Sequence, residues 1–259
     1  MKMAPRAKIT VTVRTFNEER NIRECLESVA WADEIALVDA ESTDGTVAIA
    51  REFTERIIVR PWAGHIPTSQ FITDQARNLW VMSMDADERV SKDLRDEILA
   101  LDLDSTPHDA YEMPRRHWFM KRRIDHSAWY PDRKIRLFRR DRCSWGGYAP
   151  HDKVQVPGSL GRLRGDLHHF IYRDLSHFAA TKNSYSTLTA IDHFRSGRRA
   201  LVSDLTLRPL YAFLYRYLVR LGFLDGLPGF VIAVMESHGV FMKYAKLREL
   251  ERRLGRFAE

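Results

Sequence analysis

The stretch "LWVMSMDADERVS", residues 79–91, runs from apolar residues into Asp85, Asp87 and Glu88. Side chains two apart on an extended strand point the same way, so Asp85 and Asp87 can present oxygens to one point. Hard oxygen donors at a strand end suit Mg2+ or Mn2+, which take a few carboxylates and leave positions for phosphate oxygens. The same letters also describe an acidic turn in which an aspartate caps the next helix. Ser91 is the better cap for "KDLRDEILAL", and it relieves the carboxylates of that task. A further acid, Asp39, follows the short run "EIALV" in the same manner.

Elements that could position these acids alternate over the first hundred residues. "KITVTV", "EIALVD", "RIIVR" and "LWVMSM" read as strands, being short and rich in β-branched or apolar residues. Between them "NIRECLESVAW" has Ile22, Cys25, Leu26 and Val29 at helical spacing, with Asn21 as an N-cap. Ser42-Thr43-Asp44-Gly45 makes a turn into a helix reaching about Phe53, and another helix is expected around "SQFITDQARN". This alternation predicts an α/β fold, a mostly parallel sheet flanked by helices, with ligands at the carboxyl ends of the strands. Asp39 and Asp85 fall at those ends. No GxGxxG follows the first strand and no GxxxxGK occurs, which argues against a dinucleotide fold and a P-loop. From about 105 to 175 strands are expected in "AYEMPRR", "KIRLFRR" and "LHHFIYRD", and beyond 175 the pattern is helical. The expected division is 1–104; 105–175, a further half of the same domain; and 176–259, a helical C-terminal extension.

The chain has 259 residues and a net charge of +6, unevenly spread. Residues 1–100 carry 13 basic and 18 acidic residues, whereas 101–259 carry 28 and 17. That asymmetry suits a site for a metal-bound ligand joined to a surface that meets anions. Cys25 and Cys143 form no CxxC pair and read as reduced thiols. No apolar run is long enough for a signal peptide or a membrane-spanning helix, so the expected place of work is the cytoplasm or a cytoplasmic membrane face.

Taken together, "TVRTFNEERNIRECLESV", "LVDAESTDGT" and "MSMDADE", in this order and spacing, resemble the nucleotide-sugar domain of inverting family 2 glycosyltransferases of the GT-A type. The tail "GFLDGLPGFVIAVMESHGVFMKYAKLRE" is similar to the lipopolysaccharide-core glucosyltransferase branch, and the likeness covers almost the whole chain. The resemblance implies that Thr15, Phe16, Asn17 and Glu18 border the base and ribose. It implies that Asp39 accepts a hydrogen bond from uracil, that Asp85 meets ribose and sugar, and that Asp87 carries most of the contact to Mn2+ or Mg2+. An acidic pocket of this kind would accept a diphosphate once a divalent cation neutralises it. The branch has its base in a His-Glu pair after a Trp/Gly-rich loop. Here "CSWGGYAPHDKV" offers His151-Asp152, which makes Asp152 the implied base and puts His151 beside the acceptor. His169, in "LHHFIYRDL", matches a family histidine that can complete the metal shell with Asp85 and Asp87. One departure stands out: Ser69 and Gln70 occupy the places of a basic residue and Asn in the family's "AQ(K/R)NF". His65, Arg77 or a later arginine is then expected to supply the charge. Ala40 and Glu41 are further departures.

Residues 114–142 hold eleven Lys and Arg, with Trp118, Phe119, Trp129 and Tyr130 interleaved. Aromatic faces stack on sugars and arginines fork onto phosphates, so Arg133, Arg136 and Trp129 are candidates to meet a phosphorylated glycolipid acceptor. Nucleic acid is not expected, because no binding motif for it is present and the acidic N-terminal half would repel a backbone. "LRPLYAFLYRYLVRLGFL" combines aromatics with Arg208, Arg216 and Arg220. It reads either as a helix lying on an anionic membrane surface or as one packed on the last helix. The expected protein is thus a metal-dependent transferase of a hexose, glucose favoured, from a UDP-linked donor to a lipopolysaccharide-core acceptor on the cytoplasmic face of the inner membrane. The competing expectation is a non-catalytic module of the same fold that binds glycan or membrane. A nucleotidyltransferase would need a glycine-rich triphosphate loop that the sequence does not contain.

Overall fold

A computed structural model describes residues 6–148 and 151–254, except for the side chains of Tyr148 and His151. In chain order the first elements are β1 (Ile9–Thr15), α1 (Ile22–Ser28), β2 (Glu34–Asp39), α2 (Thr46–Ala50), β3 (Ile57–Val59), α3 (His65–Asp74), β4 (Trp80–Asp85), β5 (Glu88–Val90) and α4 (Lys92–Leu99). Then follow β6 (Ala110–Phe119), β7 (Arg122–Arg123), β8 (Asp132–Arg139), β9 (Ser144–Tyr148), β10 (His151–Gln155), β11 (Leu160–Arg162) and β12 (Leu167–His169). The chain ends in α5 (Leu175–Arg195), α6 (Val202–Leu214) and α7 (Leu227–Arg253), with a π-helical turn Tyr215–Val219 and a 3-10 turn Gly222–Asp225 before α7.

Two units are distinguished: residues 6–116 with 132–169, and residues 117–131 with 170–254. In the first, the sheet order is β3-β2-β1-β4-β8-β6-β12-β5. β3, β2, β1 and β4 are parallel, as strand–helix alternation requires, and β8 joins β4 antiparallel. Alternation along β1 sorts its side chains. Ile9, Val11 and Val13 enter the main core with Leu26, Met82 and Met84, while Arg14 lies on the opposite face. In the second unit Phe119, Ile124, Phe178 and Ile232 form one core, and Ala190, Ala200, Tyr244 and Leu247 form another.

Several local expectations change. Asn21 makes no side-chain cap on α1, whereas Ser91 Oγ accepts from Leu94 N as anticipated. α3 begins at His65, earlier than expected, because Gly64 takes φ 100° before it and Pro67 falls in the first turn, where a missing N–H costs nothing. The strand expected across "LHHFIYRD" stops at His169. Most consequential, β4 ends at Asp85 and a turn at Ala86-Asp87 precedes β5. Asp85 and Asp87 therefore do not share one face of one strand.

The candidate active site

Strand register assembles the site. Parallel pairing of β1 with β4 sets Arg14 directly opposite Asp85, so both side chains rise on one face. Arg14 donates to Asp85 Oδ1 from Nε at 3.0 Å and Nη2 at 2.5 Å. Asp85 Oδ2 accepts from Arg136 Nη2 at 2.7 Å. Burial pushes the Asp85 carboxyl up, but the two guanidinium groups outweigh it and hold it well below the usual carboxylate range. Glu88 has no exposed surface. Its Oε2 accepts from Asp85 N at 3.0 Å, and its Oε1 from Arg136 at 2.5 Å and Arg115 at 3.2 Å. Burial would lower the proton affinity of Arg136, yet Glu88 and Asp85 raise it above its ordinary value. Glu88 is thus a structural pin that fixes two arginines and the backbone of Asp85.

Asp87 behaves differently. Its Oδ2 lies 3.1 Å from His169 Nε2, and its Oδ1 is buried with no hydrogen-bond partner. Antiparallel pairing of β12 with β5 sets His169 opposite Glu88, the neighbour of Asp87, and so brings the two together. Among the described residues, no three His, Cys, Asp or Glu side chains converge closely enough to hold a metal ion. Of the expected trio Asp85, Asp87 and His169, the last two touch, while Asp85 is held by Arg14 and Arg136. Asp87 and His169 do fit a divalent ion whose other ligands come from a substrate: Asp87 Oδ1 is buried and unsatisfied, and an imidazole nitrogen stands at the other oxygen of the same carboxylate.

The antiparallel hairpin of β9 and β10 brings in Asp152, paired with Gly147. Asp152 Oδ2 stands 3.4 Å from Arg14 Nη1, so one guanidinium reaches both Asp85 and the expected base. Trp145 anchors the hairpin: its N donates to Gln70 Oε1 at 2.9 Å and its Nε1 to Thr73 Oγ1 at 3.1 Å. Ser69 Oγ accepts from Arg14 Nη1 at 2.6 Å. Both departures from the family pattern therefore have partners here: Ser69 holds Arg14 and Gln70 holds the hairpin. Neither His65 nor Arg77 supplies a charge to this place. His65 is exposed with its ring edge against Trp62, and Arg77 lies 3.5 Å from Glu34. Later arginines, Arg115 and Arg136, do line the cleft, and with them stands Arg14, which sequence reading passed over because it lies inside a strand; its place in the β1–β4 register is what reveals it.

A cavity of about 460 Å3 opens here, bounded by Arg14, Asp85, Arg115, Arg136, Trp145 and Asp152 among others. Six cations and three carboxylates line it, so this cavity is basic on balance, and it takes in Asp85 but not Asp39 or Asp87. Arg133 is one of those cations, and its Nη1 also donates to Leu163 O at 3.4 Å. Trp129 belongs to the second unit, where it packs edge-on to Phe119 and Phe178. His151 opens β10, and its side chain lies outside the described residues.

Two loops at neighbouring strand ends carry the remaining expected residues, because Thr15 and Asp39 are paired in register. Asn17, at φ 53°, accepts from Thr43 N through Oδ1, and its own N donates to Ser42 Oγ, each at 2.8 Å. Glu18 N donates to Thr46 Oγ1 at 2.8 Å. Thr15 is buried, whereas Phe16 is exposed. Asp39 is fully buried and accepts from Ser42 N at 2.8 Å and Ser42 Oγ at 2.6 Å, one on each oxygen. Each of those oxygens keeps a second lone pair. Beneath the acids lies Cys25, whose thiol burial pushes far above its ordinary value; its Sγ donates to Asp85 O at 3.7 Å.

A cleft at the carboxyl ends of the strands, lined by paired acids and arginines, is where an α/β sheet of this kind binds its ligand. The family model for glycosyl transferase family 2 matches residues 10–205. An uncharacterised glycosyltransferase of Rickettsia typhi is 31% identical over 256 residues, covering 94% of this chain and 87% of its own. The lipopolysaccharide core biosynthesis glycosyltransferase LpsC of Rhizobium meliloti is 29% identical over 252 residues, covering 95% and 93%. Among solved structures, the mannosyltransferase PcManGT of Pyrobaculum calidifontis, in complex with GDP-Man and Mn2+, aligns with a TM-score of 0.51 at 13% identity, covering 96% of this chain and 76% of that one. The chain belongs to glycosyl transferase family 2: it is a glycosyltransferase with the GT-A type of fold and a helical C-terminal region.

Proposed function

We propose that the protein transfers a hexose, glucose favoured, from a UDP-linked donor to a phosphorylated glycolipid of the lipopolysaccharide-core kind, with inversion at the anomeric carbon. The observation that carries this reading is the convergence of Asp85, Arg14 and Asp152 in one basic cleft at the strand ends. Similarity to LpsC over nearly the full length of both chains supports the acceptor class. Such an acceptor is presented on the cytoplasmic face of the inner membrane.

Asp152 takes the proton from an acceptor hydroxyl as its oxygen attacks the anomeric carbon from the side opposite the diphosphate. The bond from that carbon to the diphosphate oxygen then breaks. Arg14 orients Asp152 and Asp85 relative to each other, and the cationic wall of Arg133, Lys134 and Arg136 draws the anionic groups of both substrates into the cleft. Thr15 to Glu18 and Asp39 border the nucleoside, with Asp39 accepting from the uracil ring. Asp87 and His169 would hold Mn2+ or Mg2+ together with diphosphate oxygens, and the ion would stabilise the leaving group's charge.

Calorimetric titration of UDP with Mn2+ and with EDTA, on the wild type and on Asp87→Ala, tests the reading. Binding that needs Mn2+ and is lost in the variant is the expected result. No heat from UDP in either condition overturns the uridine assignment.

A further inference from the structure

We propose that the outward face of α6 and the turns after it is a docking surface for a bilayer that carries anionic headgroups. Leu207, Leu210, Tyr211 and Leu214 recur at positions i, i+3, i+4 and i+7, which is one stripe of a helix. All four are exposed, as are Leu218 and Val219 on the π-helical turn, and each of the six keeps between 39% and 67% of its surface. The exposed apolar surface continues across residues 221–227. The opposite side of α6 faces inward. Ala212 is buried, Leu205 packs on the cluster of Ala200, Tyr244 and Leu247, and Phe213 meets Phe230 edge-on. The core reading of this helix thus holds for one face, and the other face is exposed.

Charge selects the occupant. Residues 195–230 contain six arginines and two aspartates. Both aspartates are buried and engaged: Asp204 accepts from Leu201 N at 3.0 Å and from Arg208, and Asp225 accepts from His126 N at 2.9 Å. No carboxylate of the segment reaches its surface, while Arg199 and Arg220 are exposed at its margins. A second copy of this chain would set these like charges against one another across a symmetric contact. A layer of anionic headgroups over an apolar interior meets both the arginines and the leucines. No helix among the described residues is long and apolar enough to cross a membrane, so the contact is with one surface. The reason for a membrane to be present rests on the glycolipid acceptor proposed above. The surface itself rests on α6 and its neighbours.

Co-sedimentation with vesicles lacking any acceptor or nucleotide keeps the two proposals separable. The probes are phosphatidylcholine vesicles, alone or with about one-third phosphatidylglycerol. The full chain is expected to bind the phosphatidylglycerol vesicles more tightly, and less so as salt rises. Leu210→Gln with Leu214→Gln should weaken that binding by about tenfold, with UDP binding unchanged. Arg199→Glu with Arg220→Glu should remove the preference for phosphatidylglycerol, and serves as the test if the leucine variant melts early. Undiminished vesicle binding in both variants overturns the proposal. So does a dimer in equilibrium sedimentation that Leu210→Gln with Leu214→Gln dissolves while vesicle binding stays unchanged. Vesicle binding by a protein that transfers no sugar would leave this inference standing and remove the reaction instead.

Discussion

Arg14 and Asp85 face each other across two parallel strands, joined by contacts of 3.0 and 2.5 Å to a single carboxylate oxygen. The same guanidinium reaches Ser69 at 2.6 Å and Asp152 at 3.4 Å. Replacing it by Ala leaves two acids of the cleft without their common partner. Arg14→Ala should lower turnover by about a hundredfold and stability by about 2 kcal/mol. Arg14→Lys keeps the charge but not the fork, and should recover stability more than turnover. Steady-state kinetics beside urea unfolding would separate the two effects, and unchanged kinetics in both variants would remove Arg14 from the site.

Asp152→Asn tests the base. The side chain keeps its shape but cannot accept the acceptor's proton, so kcat should fall by about a hundredfold or more while UDP affinity stays within about twofold. A comparable loss of UDP affinity would make Asp152 a binding residue instead.

His169→Gln should weaken Mn2+ binding by about tenfold, because it removes the nitrogen beside Asp87 Oδ2. Titration of Mn2+ in the presence of UDP reads this directly. An unaltered Mn2+ affinity would show that His169 only braces Asp87.

Acid stability should report Asp85. Its carboxyl is held well below the ordinary range in the folded chain, so the unfolded chain binds the proton more readily. The stabilisation is therefore fully present above the unfolded value, about 3.9, and disappears as pH falls through the lower folded one. In EDTA, the urea midpoint of Asp85→Asn should fall less steeply below about pH 4 than that of the wild type. Parallel curves for the two proteins would remove Asp85 as the acid-sensitive group.

Asp225 is buried and accepts from Asp125 N at 3.2 Å and His126 N at 2.9 Å. Asp225→Ala leaves those backbone donors unsatisfied and should cost about 2 kcal/mol in urea unfolding. The aspartate of "GFLDGLPGF" thus works as a loop anchor. The second glycine of that stretch, Gly226, takes φ 66°, and the third, Gly229, lies so close to Gly222 O that a Cβ would stand 1.9 Å from it.

How much of this was legible in the sequence depends on distance along the chain. The parallel strands β1 to β4, the Ser91 cap and the strand-end acids follow from local pattern, because periodicity and caps are local properties. "DADE" showed three carboxylates but could not tell them apart. Their roles come from partners 27 to 82 residues away: Glu88 from Arg115 and Arg136, Asp85 from Arg14 and Arg136, Asp87 from His169. Ser69 and Gln70 looked like losses because their gains lie on other elements, Arg14 of β1 and Trp145 of β9. Arg14 itself sits within "TVTVRT", where a charged residue reads as an edge or an end, not as the centre of a cleft.

The pairing of Arg14 with Asp85 has one more consequence, for how such a protein can change. Side chains alternate along β1, so adding or deleting one residue between Ile9 and Arg14 would turn the guanidinium into the apolar layer of Val11 and Val13. A substitution along β1 alters the contacts of one side chain, whereas a single-residue length change would invert the facing of every side chain on one side of it. The charge balance of the cleft is thus stored as a count of residues, and the length of β1 is under a tighter constraint than any one of its letters.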